Sequence, residues 1–136
     1  MKPRFMLDTN ICIYLMKRQP PEVAARFEGL FVGEVVLSAI TLAELEYGVA
    51  SSGEAKAQNR TALDALLTEI PVAPFDQTSA GAYGPARLAT RARTRDALDS
   101  LIAAQAMALG VVLVTNNPAD FAAYPGLKVE NWVGAA

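Results

Sequence analysis

The sequence predicts an α/β fold in which helices cover a mostly parallel sheet. Short apolar runs alternate with segments of helical periodicity along the whole chain, and this alternation is typical of parallel strands joined by crossover helices. The runs are short and almost entirely apolar, as expected of strands that are buried on both faces. The 136 residues contain no internal repeat and no linker, so we expect one domain over residues 1–136.

The first elements follow from apolar segments and their boundaries. Residues 5–7 are expected to form a buried strand. The apolar segment 11–16 is followed by Lys17-Arg18, and cations are favourable at a helix C-terminus. Pro20 ends this helix, and a second helix over residues 21–28 carries a proline in its first turn.

The middle of the chain predicts two strands and two helices. Residues 35–37 form the expected second strand, which leads into a helix over residues 42–48. In residues 54–69 apolar side chains recur every three to four positions, which predicts a long amphipathic helix. Residues 70–75 are expected to form an edge strand, because their prolines cannot donate to a neighbouring strand.

The last third begins with an alanine-rich helix over residues 76–93, which Gly84-Pro85 could kink. A small, apolar helix is expected over residues 97–109, capped by Gly110. The run 111–114 is the clearest strand of the chain. The chain then continues into a short helix near residues 120–121 and a last strand near residues 127–129.

Composition describes a globular chain and excludes several classes of protein. The hydrophobic content is 52% and the charged content 19%. No apolar run approaches the roughly 18 residues of a membrane span. The first apolar stretch is soon interrupted by Asp8, so no signal peptide is expected. These features favour a cytoplasmic protein without a membrane partner.

The sequence contains no histidine and one cysteine, Cys12. The absence of histidine excludes Ser-His-Asp triads, Cys-His dyads, histidine-based ribonuclease chemistry and His/Cys zinc sites. Cys12 lies between two isoleucines, which favours a buried, unreactive thiol. Hydrolytic chemistry must therefore use carboxylates, with or without a hard metal ion.

Acidic side chains stand near predicted strand or helix boundaries. In open α/β sheets, function lies outside the carboxyl ends of the strands, and this rule makes Asp8, Glu44 and Asp99 candidates. Asp8 directly follows the first strand. It could instead cap a helix, but Thr9 or Asn10 could cap that helix equally well and leave Asp8 free.

The other two acids also have structural alternatives. Glu44 stands three residues after Thr41, which is the spacing of a capping box, so it could simply close a helix start. Asp96 and Asp99 share one helix face, and either could be a favourable charge in the first turn. A carboxylate on such an apolar helix would nevertheless be costly to bury without a partner.

Polar side chains also follow the run 111–114. Thr115, Asn116 and Asn117 stand at its carboxyl end, where they could form an Asx-turn before Pro118. As part of a site, their uncharged oxygens could accept a water or lie beside a metal-bound phosphate. The residue types alone leave both interpretations open.

Carboxylates gathered at one rim would raise one another's pKa unless a cation neutralised them. Mg²⁺ and Mn²⁺ are hard ions that prefer oxygen ligands. The net charge is −2, but a local strip of arginines could still steer a phosphodiester to the site; it comprises Arg87, Arg91, Arg93 and Arg95. The combination predicts metal-dependent phosphodiester hydrolysis.

Four segments resemble, in order, the motifs of PIN-domain ribonucleases, and in particular the VapC-type toxins of type II toxin–antitoxin pairs. They are residues 6–10 (MLDTN), 38–48 (SAITLAELEYG), 99–104 (DSLIAA) and 114–121 (VTNNPADF). The resemblance implies a three-layer α/β/α sandwich, a single PIN domain, and a five-stranded sheet in the order 3-2-1-4-5. It also implies an Mg²⁺- or Mn²⁺-dependent endoribonuclease that cuts RNA such as tRNA or rRNA.

The same resemblance implies partners: a second copy of the chain in a homodimer, and a cognate antitoxin whose tail occupies the active-site groove in a hetero-oligomer. An alternative is a catalytically weak PIN-like module that binds RNA without toxin activity. A phosphatase with an aspartyl nucleophile is less favoured, because a second aspartate does not closely follow Asp8.

Matched by motif, the catalytic residues are Asp8, Glu44 and Asp99, and the metal ligands are Asp8 and Asp99. The supporting polar side chains are Asn10, Thr115 and Asn117. Many relatives carry a fourth acid just after the threonine, where this chain has Asn117, and Asp96 or Asp120 could compensate. Asp96 is also the alternative to Asp99 as a ligand, because the family's Gly/Pro-rich lead-in is replaced by residues 94–98.

Overall fold

A computed structural model describes residues 2–92 and 97–134 and contains a five-stranded sheet in the order β3-β2-β1-β4-β5. Its strands are β1 (Phe5–Leu7), β2 (Val35–Ser38), β3 (Val72–Ala73), β4 (Val112–Val114) and β5 (Lys128–Glu130). All four neighbouring pairs are parallel, with Leu7 opposite both Leu37 and Val114. The predicted α/β class, the parallel sheet and its strand order are confirmed.

Helices lie on both faces of the sheet. They are α1 (Thr9–Lys17), α2 (Pro21–Glu28), α3 (Ala39–Ala50), α4 (Lys56–Glu69), α5 (Gln77–Ala89), α6 (Ala97–Leu109) and α7 (Pro118–Phe121), with a 3₁₀ turn at Gly53–Ala55 before α4. Among the described residues, no helix is long and apolar enough to cross a membrane.

Successive side chains of β1 enter two separate cores, because side chains alternate between the faces of a strand. Met6 packs with Ile102 and Phe121 on the face covered by α5 and α6. Leu7 packs with Ile11 on the face covered by α1, α2 and α4. This arrangement forms the three layers expected of the sandwich.

The structure corrects several predicted helix and strand boundaries, and hydrogen bonds and prolines explain the differences. α3 begins at Ala39, three residues earlier than predicted, because the Ser38 hydroxyl accepts the Ile40 N–H at 3.0 Å and caps the helix. The edge strand shrinks to Val72–Ala73, between Pro71 and Pro74. α5 continues through Pro85 as one helix and ends at Ala89; residue 93 of the predicted helix lies outside the described residues.

Candidate active site

Asp8 lies where β1 ends and α1 begins. Its backbone N–H donates to the Val114 carbonyl at 2.8 Å, so the residue stays tied to the neighbouring strand. Its side chain is 8% exposed and accepts two hydrogen bonds. Oδ1 accepts the Thr9 N–H at 2.8 Å, and Oδ2 accepts the Thr115 hydroxyl at 2.9 Å. The expectation that Thr9 or Asn10 would cap α1 and leave Asp8 free is therefore wrong, because Asp8 caps the helix itself.

Burial is the main influence on the Asp8 carboxyl and raises its pKa above the ordinary value. The hydrogen bonds from Thr9 and Thr115 act in the opposite direction, and the negative charge of Asp120 raises the pKa further. A carboxylate with a raised pKa is stabilised strongly by a nearby cation. The environment of Asp8 therefore suits a residue that binds a metal ion.

Thr9 connects Asp8 to Glu44. While its N–H binds Asp8, its hydroxyl donates to Oε1 of Glu44 at 2.9 Å. The capping-box alternative for Glu44 is excluded, because Ser38 caps α3 and Thr41 already lies inside the helix. Glu44 thus faces α1 from the second turn of α3, on the side of the sheet edge where Asp8 lies.

Asp99 lies in the first turn of α6 and is half-buried. The residues that follow it anchor the helix deeply, since Ile102, Ala103 and Ala104 are fully buried. Its alternative, Asp96, lies outside the described residues. Across residues 2–92 and 97–134, no three acidic or cysteine side chains form a group that could hold a metal ion. The assignment of Asp8 and Asp99 as joint metal ligands therefore stays a prediction.

The turn after β4 is built by Thr115. Its buried hydroxyl donates to Asp8 and accepts the Asn117 N–H at 3.1 Å, so the turn is closed by the threonine and not by an Asx-turn, which was the structural alternative. Asn117 is exposed at the N-cap position of α7, and its side chain makes no capping hydrogen bond. Asn10 is exposed in the first turn of α1. The supporting roles of Asn10 and Asn117 stay predictions.

Comparison with known proteins gives a consistent result. A model of the PIN domain family matches residues 5–127. The tRNA(fMet)-specific endonuclease VapC of Shigella flexneri is 37% identical over 131 residues, covering 95% of this chain and 98% of that protein.

Two solved structures are also similar. VapBC2 from Rickettsia felis, bound to a promoter DNA fragment, has a TM-score of 0.86 at 35% identity, covering 94% of this chain and 98% of the other. DNA-bound VapBC from Salmonella typhimurium has a TM-score of 0.87 at 34% identity, covering 96% of this chain and 98% of the other.

This chain belongs to the VapC family of PIN-domain ribonucleases. PIN-domain ribonucleases hydrolyse RNA and in general depend on metal ions. The four motif segments that suggested the family from sequence extend over residues 6–121 and lie entirely within the matched region. The predicted family is thereby confirmed.

The site of this PIN domain includes Asp120, which the sequence analysis named as a substitute for the fourth acid, and two residues that it did not consider. Asp120 is exposed on α7, three residues after Asn117, and its charge acts on Asp8. Tyr14 and Asn131 were not considered, because their link to the site passes through Asn116 across distant segments.

The donor set of the VapC site fits a hard divalent cation. Carboxylate and hydroxyl oxygens are the ligands that Mg²⁺ and Mn²⁺ prefer. Mg²⁺ commonly binds through only one or two protein carboxylates and keeps several waters. A buried carboxylate with a raised pKa, such as Asp8, is consistent with that chemistry. By contrast, Cys12 is fully buried and burial raises its thiol pKa, which confirms the prediction of an unreactive thiol.

A cavity of about 560 Å³ opens beside Glu44, between α1, α3 and α4. Thr9 and Glu44 line it together with Lys17, so a cation and an acid face the same space. Of the predicted arginine strip, Arg87 and Arg91 are exposed in or just after α5. Arg93 and Arg95 lie outside the described residues, and the steering role of the strip stays a prediction.

Proposed function

We propose that this chain is the toxin of a type II toxin–antitoxin pair, an endoribonuclease that cuts tRNA with the help of Mg²⁺ or Mn²⁺. The observation that carries the proposal is the buried Asp8 carboxylate at the carboxyl end of β1, held by Thr9 and Thr115 and linked through Thr9 to Glu44. The Shigella relative is named for its action on initiator tRNA, which supports tRNA as the substrate class.

Each acid has a distinct part in this proposal. Asp8 and Asp99 hold the divalent ion, which would supply positive charge to the scissile phosphate and make the attacking water more acidic. Glu44 completes the acidic cluster and is oriented by the Thr9 hydroxyl. Thr115 fixes Oδ2 of Asp8, so the carboxylate does not need to reorient when the ion binds.

The test is cleavage of an initiator tRNA transcript by the purified chain in Mn²⁺, Mg²⁺ or EDTA. We expect cleavage with either ion, none in EDTA, and a loss of at least about 100-fold in Asp8→Asn and Asp99→Asn. Asp64→Asn is the matched control, because Asp64 is an exposed acid of α4 that pairs only with Arg60 among the described residues. Cleavage at the unsubstituted rate by both site variants would contradict the proposal.

We further propose a cognate antitoxin as partner, forming a hetero-oligomer with the toxin. The two similar solved structures are VapBC assemblies bound to DNA, which supports a partner of that class. Co-expression with the adjacent short reading frame should yield a co-purifying complex that no longer cuts tRNA. Co-purification without inhibition would contradict the role of the partner as an antitoxin.

A homodimer is also proposed, through α3 and α4. Tyr47 of α3 is 74% exposed. A hollow of about 620 Å³ beside this helix is lined by Val49, Ala50 and Ala57 and by charged side chains, among them Glu46 and Arg60. Exposed aromatic and apolar surface of this kind is enriched at protein interfaces. We expect light scattering to give a dimer, and Tyr47→Glu to give a monomer while Thr78→Glu, an exposed position of α5, does not. A monomer at 100 µM for the unsubstituted chain would contradict the dimer.

One observation favours a second candidate function. Asn117 stands where many relatives have a fourth acid, which would weaken metal binding and leave a PIN-like module that binds RNA without cutting it. This candidate predicts tRNA binding without cleavage in either ion, and no growth arrest on expression. The cleavage assay therefore distinguishes the two functions.

A further inference from the structure

We propose that the Tyr14 hydroxyl donates a hydrogen bond to a phosphate oxygen of the RNA beside the catalytic acids, and that a chain of amides fixes the direction of that donor. The inference rests on the proposed endoribonuclease function. It assigns an RNA contact to a residue outside the acidic cluster and states which atoms make Tyr14 a donor.

The chain runs from the backbone of Val133 to Tyr14. The Val133 N–H donates to Oδ1 of Asn131 at 2.9 Å. Nδ2 of Asn131 donates to Oδ1 of Asn116 at 3.3 Å. Nδ2 of Asn116 then donates to the Tyr14 hydroxyl oxygen at 3.1 Å. Three segments far apart in sequence are joined in this way.

The backbone N–H of Val133 determines in which direction the hydrogen bonds of this amide chain are donated. A backbone N–H can only donate, so the Asn131 atom that it meets must be the carbonyl oxygen. The Asn131 amide group must then donate, and the same logic orients Asn116. The Tyr14 oxygen therefore accepts, and its own proton remains available for another acceptor. Hydrogen bonds aligned in this sense also strengthen one another.

Tyr14 lies close to the catalytic acids along two routes. Asn116 directly follows Thr115, whose hydroxyl holds Asp8. On α1, Tyr14 is one turn after the exposed Asn10, so both lie on one ridge that starts beside Asp8. Tyr14 itself is half-buried, so its ring is held in place without being fully enclosed.

Charge along the same ridge favours a phosphate over a neutral acceptor. Lys17 follows Tyr14 by three residues, is exposed, and forms no ion pair within the described part of the chain. The ridge therefore presents an amide, a phenol and an ammonium group in line from the catalytic edge. Such a row of donors matches the repeated phosphate oxygens of an RNA strand.

The first experiment removes only the hydroxyl. Affinity for a fluorescein-labelled initiator tRNA transcript is measured by anisotropy in the Asp8→Asn background, which keeps the RNA intact. Tyr14→Phe should weaken binding roughly 10-fold, the effect expected of a lost hydrogen bond to a charged group. In the active protein, which keeps Asp8, the same substitution should raise KM by a similar factor, and kcat should stay within about 3-fold of the unsubstituted value. Thr78→Val, which removes an exposed hydroxyl of α5 outside the proposed dimer surface, is the control.

The second experiment reverses the direction of the hydrogen bonds that link Asn131, Asn116 and Tyr14. In Asn131→Asp the new carboxylate can only accept, so the Asn116 amide would turn towards it and present its oxygen to Tyr14. The Tyr14 proton would then point inwards, and RNA binding should weaken as in Tyr14→Phe. In the Tyr14→Phe background, Asn131→Asp should have little further effect, because no phenol proton remains to redirect. This non-additivity is a readout that loss of stability alone would not produce.

The outcomes separate the proposals. Equal RNA affinity in Tyr14→Phe and Thr78→Val would overturn the contact. Equal weakening by Asn131→Asp in both backgrounds would overturn the directional chain and identify a simple charge effect. If the unsubstituted chain cuts tRNA normally while either result is obtained, the proposed function stands without this inference. Failure of the unsubstituted chain to bind or cut tRNA would overturn both.

Discussion

The Thr9 hydroxyl donates to Oε1 of Glu44 at 2.9 Å, joining residues that are 35 positions apart. The same residue gives its backbone N–H to Asp8. Thr9 therefore fixes the relative positions of two carboxylates that lie on different elements, α1 and α3. The first prediction concerns this bridge.

Thr9→Val removes the hydroxyl and keeps the backbone donor to Asp8. We expect cleavage of tRNA to fall on the order of 10-fold, because a hydrogen bond to a carboxylate is worth about 1.5–3 kcal/mol. Thr9→Ser, which keeps the hydroxyl, should retain most of the activity. Initial cleavage rates at saturating Mn²⁺ measure both. Equal rates for the valine and serine variants would show that the bridge has no part in catalysis.

The second prediction concerns the pH dependence of stability. Burial raises the pKa of Asp8 in the folded protein above the value of 3.8 for an unperturbed aspartate. The folded state thus binds this proton more tightly than the unfolded chain does. The resulting stabilisation is complete below the unfolded pKa and is lost as the pH rises through the folded pKa.

Without metal, Asp8→Asn should therefore melt at a higher temperature than the unsubstituted chain at pH 7, and the difference should shrink towards pH 4. Asparagine caps helices as well as aspartate does, so the comparison isolates the charge. Added Mn²⁺ should raise the melting temperature of the unsubstituted chain and leave Asp8→Asn unchanged. Scanning calorimetry at several pH values tests this, and a variant that melts lower throughout would contradict the role assigned to burial.

The third prediction concerns the missing fourth acid. Asn117→Asp places a carboxylate after Thr115, where its charge would add to those of Asp8 and Asp120. We expect Mn²⁺ affinity to rise several-fold, since added ligand charge strengthens binding of hard cations. Calorimetric titration measures the affinity. Thr68→Glu, an exposed position near the end of α4, is the matched control for net charge. An equal gain in Mn²⁺ affinity there would show that the effect is not local.

The fourth prediction concerns Gln105, whose side chain is fully buried on α6. Its amide group donates to the carbonyls of Ala73 and Pro74 at 3.1 and 3.0 Å, and its oxygen accepts the Ser38 hydroxyl. Gln105→Leu would leave these groups without their partner, at a cost of about 3 kcal/mol. Urea unfolding should show this loss, whereas Gln58→Leu on the exposed face of α4 should change stability by less than about 0.5 kcal/mol. A fall in the free energy of unfolding of less than about 1 kcal/mol would show that the groups around residue 105 find other hydrogen-bond partners.

Local patterns determined much of the molecule from sequence. Short apolar runs identified β1, β2 and β4, because strands buried on both faces are largely apolar. The rule that polar side chains gather at the carboxyl ends of parallel strands predicted that Asp8 and Thr115 lie at one rim, where they bind each other at 2.9 Å. The motif order determined the family, and its strand order was confirmed.

Tertiary structure decided what depends on distant segments. That Asp8 caps α1 follows from the helix starting at once at Thr9, and that Glu44 meets Thr9 follows from α3 starting at Ala39. The chain from Val133 to Tyr14 could not be predicted, because Tyr14 and Asn116 are 102 positions apart. Periodicity specifies which face of an element is buried. Which polar groups meet is set by the register of the parallel strands and by helix packing on the finished sheet.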